Sequence, residues 1–343
     1  MKQWIKPHLL ELEPYASARS LGEIQDGIWL DANENRWGNV LQKNAWARYP
    51  TYRPDLRTLW AGFLDIPPDQ LLLTHGSDEG IDLIFKLCGS PGDVVCGFSP
   101  TYGMYRVMAT IYGCSWFTIP LTELFELPTN FTWPVDAKLL FICRPNNPTG
   151  NSFSLEELRR IIRSFPGLVV IDEAYQEFSN QPSALSLLPE FPQLLVMRTL
   201  SKAFGLAGLR LGALAAAPDM VQWLRKIQLP YPITAPSLEA GADALQQISW
   251  MQQKVEGVRE QRQFVHQRLK DMPGIIKVFP SETNFLLFQM EEPTPFVAFA
   301  KQNGLVLRDR SQEAGCHGCV RVTIGLPEEN LRFLQILNDF LSL

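Results

Sequence analysis

Four short polar stretches of this 343-residue chain hold the side chains with most chemistry to offer, and each follows an apolar run. In "RTLSKAFGLAGLRLG" (198–212), Lys202 and Arg210 stand among small and apolar residues, where most lysines would instead be found in water. Desolvation and nearby cations lower the pKa of such an amine, which can then form a Schiff base with an aldehyde. In "VVIDEAY" (169–175), Asp172 ends an apolar run; burial there is costly unless a positive group faces the carboxylate. "PNNPTG" (145–150) holds two Asn amides between prolines, ready to donate and accept with little ordering cost. "HGSDEG" (75–80) opens a helix, and free N–H groups at a helix start, here those of Ser77 and Asp78, make an anion cradle. One ligand uses all four: pyridoxal 5′-phosphate. Its phosphate suits the helix start, hydroxyls and Arg210, its aldehyde Lys202, its phenolate oxygen Asn147 and Tyr175, and its ring nitrogen Asp172.

These stretches imply the elements that must position them. From about residue 70 the chain alternates strand-like and helix-like segments, "QLLLT", "EGIDLIFKLCG", "DVVCGF", "TYGMYRVMATIYG", "KLLFICR", "LEELRRIIRSF", "GLVVIDEA" and "QLLVMRT". Short apolar runs interleaved with helical periodicity predict a mainly parallel, doubly wound α/β sheet covered on both faces. Ligands of such sheets sit beyond the carboxyl ends of the strands, where all four polar stretches fall. A proline-rich break, "LPYPITAPS" (229–237), precedes a long polar helix and the strands "TNFLLFQ", "GLVLRD" and "CVRVTIG", the pattern of a smaller α+β domain. The expected organisation is an N-terminal arm at 1–30, a large cofactor-binding domain at 31–249 and a small C-terminal domain at 250–343.

The net charge of −5, with no basic stripe, argues against a nucleic-acid partner. No apolar run is long enough to span a membrane and none at the N-terminus reads as a signal peptide, so a cytoplasmic protein is expected. Most of the six cysteines lie in apolar runs, where a thiol behaves as a small hydrophobe. "CHGC" (316–319) has a metal or redox spacing but no second Cys/His pair, and reads as a loop with incidental thiols; no metal is expected.

"LDANEN" (30–35), "RYP" (48–50), "HGSDEGIDL", "SPTYGMY" (99–105), "RPNNPTG", "IDEAYQEF", "RTLSKAFGLAGLRLG", "SETNF" (281–285), "LRDR" (307–310) and "CVRVTIG" (319–325) follow one family's motifs in order. Over nearly its whole length the chain resembles the fold-type I aminotransferases and, among them, the histidinol-phosphate aminotransferases. The resemblance implies reversible transamination of L-histidinol phosphate and 2-oxoglutarate to imidazole acetol phosphate and L-glutamate, a step of histidine biosynthesis. It implies Lys202 on the cofactor aldehyde, Asp172 on the ring nitrogen, Asn147 and Tyr175 on the phenolate oxygen, and Tyr102 stacked on the ring. The phosphate would be held by Ser77, Asp78, Thr199, Ser201 and Arg210, and by Tyr49 of a second subunit, hence a homodimer with shared sites. For the substrate it implies Arg321, Arg308, Tyr15 and Asn33. Two residues depart from the family pattern, Arg36 followed by Trp37, and Arg144, and both are expected to bear on substrate range. Aromatic amino acid aminotransferases and threonine-phosphate decarboxylases share the fold and differ by few site residues.

Overall fold

The computed structural model describes residues 2–13, 30, 32–50 and 54–343. A sheet is built from β1 (Leu71–His75), β2 (Val94–Ser99), β3 (Ser115–Pro120), β4 (Ala137–Cys143), β5 (Leu168–Asp172), β6 (Leu194–Thr199) and β7 (Leu211–Ala216), in the order β1-β7-β6-β5-β4-β2-β3. The pairs β3/β2, β2/β4, β4/β5 and β5/β6 are parallel, and β7 runs antiparallel to both β6 and β1. The doubly wound pattern therefore holds, with one reversed strand inside it.

Alternation along the central strands shows why both faces are covered. Val169 and Ile171 of β5 enter one core with residues of α1 (Pro54–Leu64), α4 (Leu155–Ser164) and α6 (Ala235–Leu245). Leu168 and Val170 point the other way, into a core with α2 (Gly76–Cys88), α3 (Met104–Ile111) and α5 (Pro218–Ile227). A strand buried on both faces has to be apolar at every position, which is why these runs show no polar alternation. α4 starts sharply because Ser154 and Glu157 form a reciprocal capping box.

A second, antiparallel sheet of order β10-β11-β9-β8 is formed by β8 (Ile275–Val278), β9 (Phe285–Met290), β10 (Arg308–Asp309) and β11 (Cys319–Thr323). It packs with α8 (Pro293–Gln302) and α9 (Pro327–Leu341) around a core of its own. The long helix α7 (Ile248–Lys270) gives Met251 and Val255 to a core of the first sheet and Val265 and Leu269 to that of the second.

Several elements differ from expectation. β3 lies at the sheet edge with every residue but Ile119 exposed or half-exposed, so its apolar signal is diluted. β7, "LGALAA", is rich in small residues of low strand propensity and is strand only because β1 and β6 pair with it. β8 was not anticipated either, and "GLVLRD" shrinks to the two residues of β10. The proline-rich break contains the start of α6, since Pro236 sits in its first turn, where the missing N–H costs nothing.

Candidate active site

Asp172 is the last residue of β5 and Thr199 the last of β6; Asn147 follows β4, and Ser77 and Asp78 lie in the first turn of α2, directly after β1. The sheet thus gathers the four polar stretches at one end. Between β1 and β6 the reversed β7 brings Gly212 level with Thr74 and Thr199. A Cβ on Gly212 would stand 2.4 Å from the carbonyl carbon of Gly76 and 2.7 Å from the amide nitrogen of Ser77. The bare glycine lets the start of α2 close against β7 at Gly212, whose partner on β6 is Thr199. Thr199 Oγ1 is 2.8 Å from Ser201 Oγ and accepts from the Ser201 amide at 3.1 Å. Arg210, held at φ 51°, donates from Nη2 to Asp78 Oδ2 at 2.7 Å.

Asp172 is buried, accepting from the Ala174 amide at 3.1 Å and from the Tyr105 hydroxyl at 2.7 Å, and burial pushes its pKa up to about 6. Lys202 Nζ lies 5.5 Å from the centre of the Tyr175 ring. Partial desolvation and the nearby Arg321 guanidinium lower its pKa, against the pull of Asp172 and Asp78. Asn147 Nδ2 donates to the Tyr175 hydroxyl at 3.4 Å, and Asn147 Oδ1 accepts from Arg321 at 2.5 Å. Arg321 also lies over the Phe285 ring, 5.2 Å from its centre, so the second sheet reaches into the site through β9 and β11. Tyr102, half-buried with its pKa pushed up to about 12 by burial, points its hydroxyl at Asp78 Oδ1, 3.5 Å away.

Arg308 is exposed and directly opposite Arg321 in the β10/β11 pair. Arg321 is lowered in pKa first by burial, then by Arg310 and Arg308, so three guanidinium groups share one region. Other expected residues do not join this cluster. Tyr49 stacks on Tyr231, with ring centres 4.4 Å apart, and its amide donates to Glu34. Asn33 is exposed at φ 55°, and Tyr15 lies outside the described residues.

Arg144 requires a correction. It is wholly buried, ion-paired to Glu173 at 2.8 Å, and donates to the carbonyls of Phe153 and Pro182. Glu173 also pairs with Arg198, which binds Glu177 at 2.6 Å. Wholly buried with its guanidinium taken up by these partners, Arg144 braces the segment carrying Asp172 and is not open to a substrate. Trp37 is 99% exposed, and its amide donates to Asn35 Oδ1 at 3.0 Å. Cys316 and Cys319 are both buried; the Cys316 thiol beside it pulls the Cys319 pKa down, and no metal-binding group occurs among the described residues. Sequence reasoning missed Tyr105, although its spacing of three from Tyr102 in "TYGMY" places both on one side of the start of α3.

Residues 24–335 match the family described as aminotransferase class I and II. The histidinol-phosphate aminotransferase of Cytophaga hutchinsonii is 36% identical over 341 residues, covering 98% of each chain. That of Pectobacterium carotovorum is 39% identical, covering 99% of this chain and 98% of its own. Among solved structures, histidinol-phosphate aminotransferase from Sinorhizobium meliloti in complex with pyridoxal-5′-phosphate superposes with a TM-score of 0.76 at 21% identity, covering 90% of this chain and 89% of that one.

Proposed function

The chain belongs to the class I and II aminotransferases, and from that premise we propose that it is a histidinol-phosphate aminotransferase using pyridoxal 5′-phosphate. It would exchange the amino group between L-histidinol phosphate and 2-oxoglutarate, giving imidazole acetol phosphate and L-glutamate. The observation that carries the reading is the convergence of Lys202, buried Asp172 and the Arg321–Asn147–Tyr175 chain at one end of the sheet, in a chain whose full-length relatives bear that name.

The residues present fit the cofactor. Asp172 is a buried carboxylate with two neutral donors and no cation bonded to it, the surroundings that a protonated ring nitrogen completes. The backbone packed against Gly212 and the hydroxyls of Thr199 and Ser201 suit a phosphate, with Arg210 released to it from Asp78. Bound there, pyridoxal phosphate supplies an aldehyde that exchanges amines and a ring that takes up the electron pair freed at the substrate α-carbon.

The chain's own residues do the rest. Asp172 keeps a proton on the ring nitrogen, and Asn147 and Tyr175 donate to the phenolate oxygen. The lowered pKa of Lys202 leaves more of its amine unprotonated at neutral pH, ready to take the proton from the substrate α-carbon and deliver it elsewhere. Arg321 and Arg308 bind the substrate anion, a carboxylate for one amino donor and a phosphate for the other, since a planar guanidinium suits both.

A homodimer follows from the same reading. Trp37 and Val40 are 99% and 97% exposed, and Leu41 and Leu229 are 65% and 69% exposed, apolar surface that a second copy would cover. Tyr49, exposed and stacked on Tyr231, would serve the partner's site. The reading also places the enzyme in the cytoplasm; no helix among the described residues is long and apolar enough to cross a membrane.

The test is single-turnover mixing of the loaded enzyme with histidinol phosphate, glutamate or phenylalanine. Fast loss of the cofactor's visible absorbance with the first two, and slow loss with phenylalanine, is expected. Fastest reaction with phenylalanine would reassign the chain to aromatic amino acids.

A further inference from the structure

Tyr105 is the second residue of α3 and is fully buried. Its ring is clamped: it stacks on Phe141 of β4 at 4.8 Å between centres and meets Tyr102 edge-on at 5.5 Å. Phe141 in turn stacks on Phe85 of α2 at 5.5 Å. A ring held on two sides cannot swing its hydroxyl, which donates to Asp172 Oδ2 at 2.7 Å. The other carboxylate oxygen takes the Ala174 amide at 3.1 Å. Each oxygen thus has one fixed donor and keeps lone pairs for one more partner.

Resting on the pyridoxal phosphate reading above, we propose that Tyr105 is a positioning residue: its hydroxyl aims Asp172 at the ring nitrogen and keeps the proton on that nitrogen, while its ring edge backs Tyr102. The chemistry of a neutral donor is what this task requires. A cation at position 105 would neutralise Asp172 and compete with the ring nitrogen for it, whereas a donor-free ring would leave a buried charge under-solvated. The ionisable groups interacting with Asp172 are Tyr105, Lys202, Asp78, Tyr102, Cys143 and Tyr175. Of these, Tyr105 is the side chain that hydrogen-bonds it, and that bond together with the Ala174 amide opposes the effect of burial. Without the hydroxyl the proton moves from the ring nitrogen towards Asp172.

The experiment uses the holoenzyme loaded with cofactor labelled with 15N in the ring, observed by NMR, together with the dissociation constant of pyridoxamine phosphate. Tyr105→Phe keeps the stacking and removes the donor. Its ring resonance should move from the pyridinium towards the neutral pyridine position at neutral pH, and binding should weaken on the order of ten- to a hundredfold, as for loss of a hydrogen bond to a charged group. If the Phe variant does not fold, 3-fluorotyrosine at position 105, a stronger donor of nearly the same shape, should make Asp172 a weaker base and move the ring resonance further towards the pyridinium position; an unmoved resonance overturns the proposal. Weaker binding with an unmoved resonance in Tyr105→Phe overturns it too, because packing alone would then explain the loss. A wild-type chain that takes up no cofactor overturns the function reading and the proposal with it, whereas normal uptake with an unmoved resonance in the variant overturns the proposal alone.

Discussion

At Asp172, function and stability oppose each other. Burial raises the carboxyl pKa from 3.8 to about 6, so between those values the native state of the cofactor-free protein holds a proton that the unfolded chain has released. Stability from this group is fully present below the lower value and is lost as pH rises through the higher one. The shift of about two units corresponds to roughly 3 kcal/mol at pH above 6. Asp172→Asn should therefore make the cofactor-free protein more stable than wild type above pH 6 and not below pH 4, while binding of pyridoxal phosphate weakens. Urea titrations on both sides of that window check it, and a variant less stable at every pH would contradict it. The Tyr105 and Ala174 donors limit this cost without removing it. Arg144, by contrast, is a buried charge with a carboxylate and two carbonyls around it, and its place in the molecule is structural.

At the scale of elements, the approach of β7 to the first turn of α2 creates the corner proposed to hold the phosphate. Gly212 permits it, since the nearest backbone atom to a Cβ there would be the Gly76 carbonyl carbon at 2.4 Å, and backbone cannot rotate away as a side-chain tip does. Gly212→Ala should cost about 1–3 kcal/mol in chemical denaturation, the range for forced overpacking, and should weaken cofactor binding as Gly76 and Ser77 are pushed away from β7. Wild-type affinity in this variant would mean that the corner does not hold the phosphate. The second sheet enters the same site through a different contact, Arg321 of β11 against Asn147 beyond β4. The residue proposed for the substrate anion and the one proposed for the phenolate oxygen are thus joined by one hydrogen bond.

At the scale of the whole molecule, the exposure of Trp37, Val40 and Tyr49 bears on assembly. Mixing Lys202→Ala with Tyr49→Phe chains tests whether Tyr49 serves a partner. A hybrid dimer then has one site with both Lys202 and a partner's Tyr49 intact, so activity per Lys202-bearing chain should rise above that of Tyr49→Phe alone. No rise would place Tyr49 with its own protomer. The amino-acid sequence by itself determined the alternating layers and the strand-end residues Lys202, Asp172, Asn147 and Tyr175. Apolar runs at strand length are local signals, and in a parallel sheet the residues that follow them necessarily gather at one edge. Only the tertiary structure decided that β7 runs backwards, that Arg144 turns away to Glu173, and that Tyr105 meets Asp172 across 67 residues of sequence and Arg321 meets Asn147 across 174. Those pairings depend on which elements become neighbours and which rotamers packing leaves open, and no periodicity in a single segment encodes either.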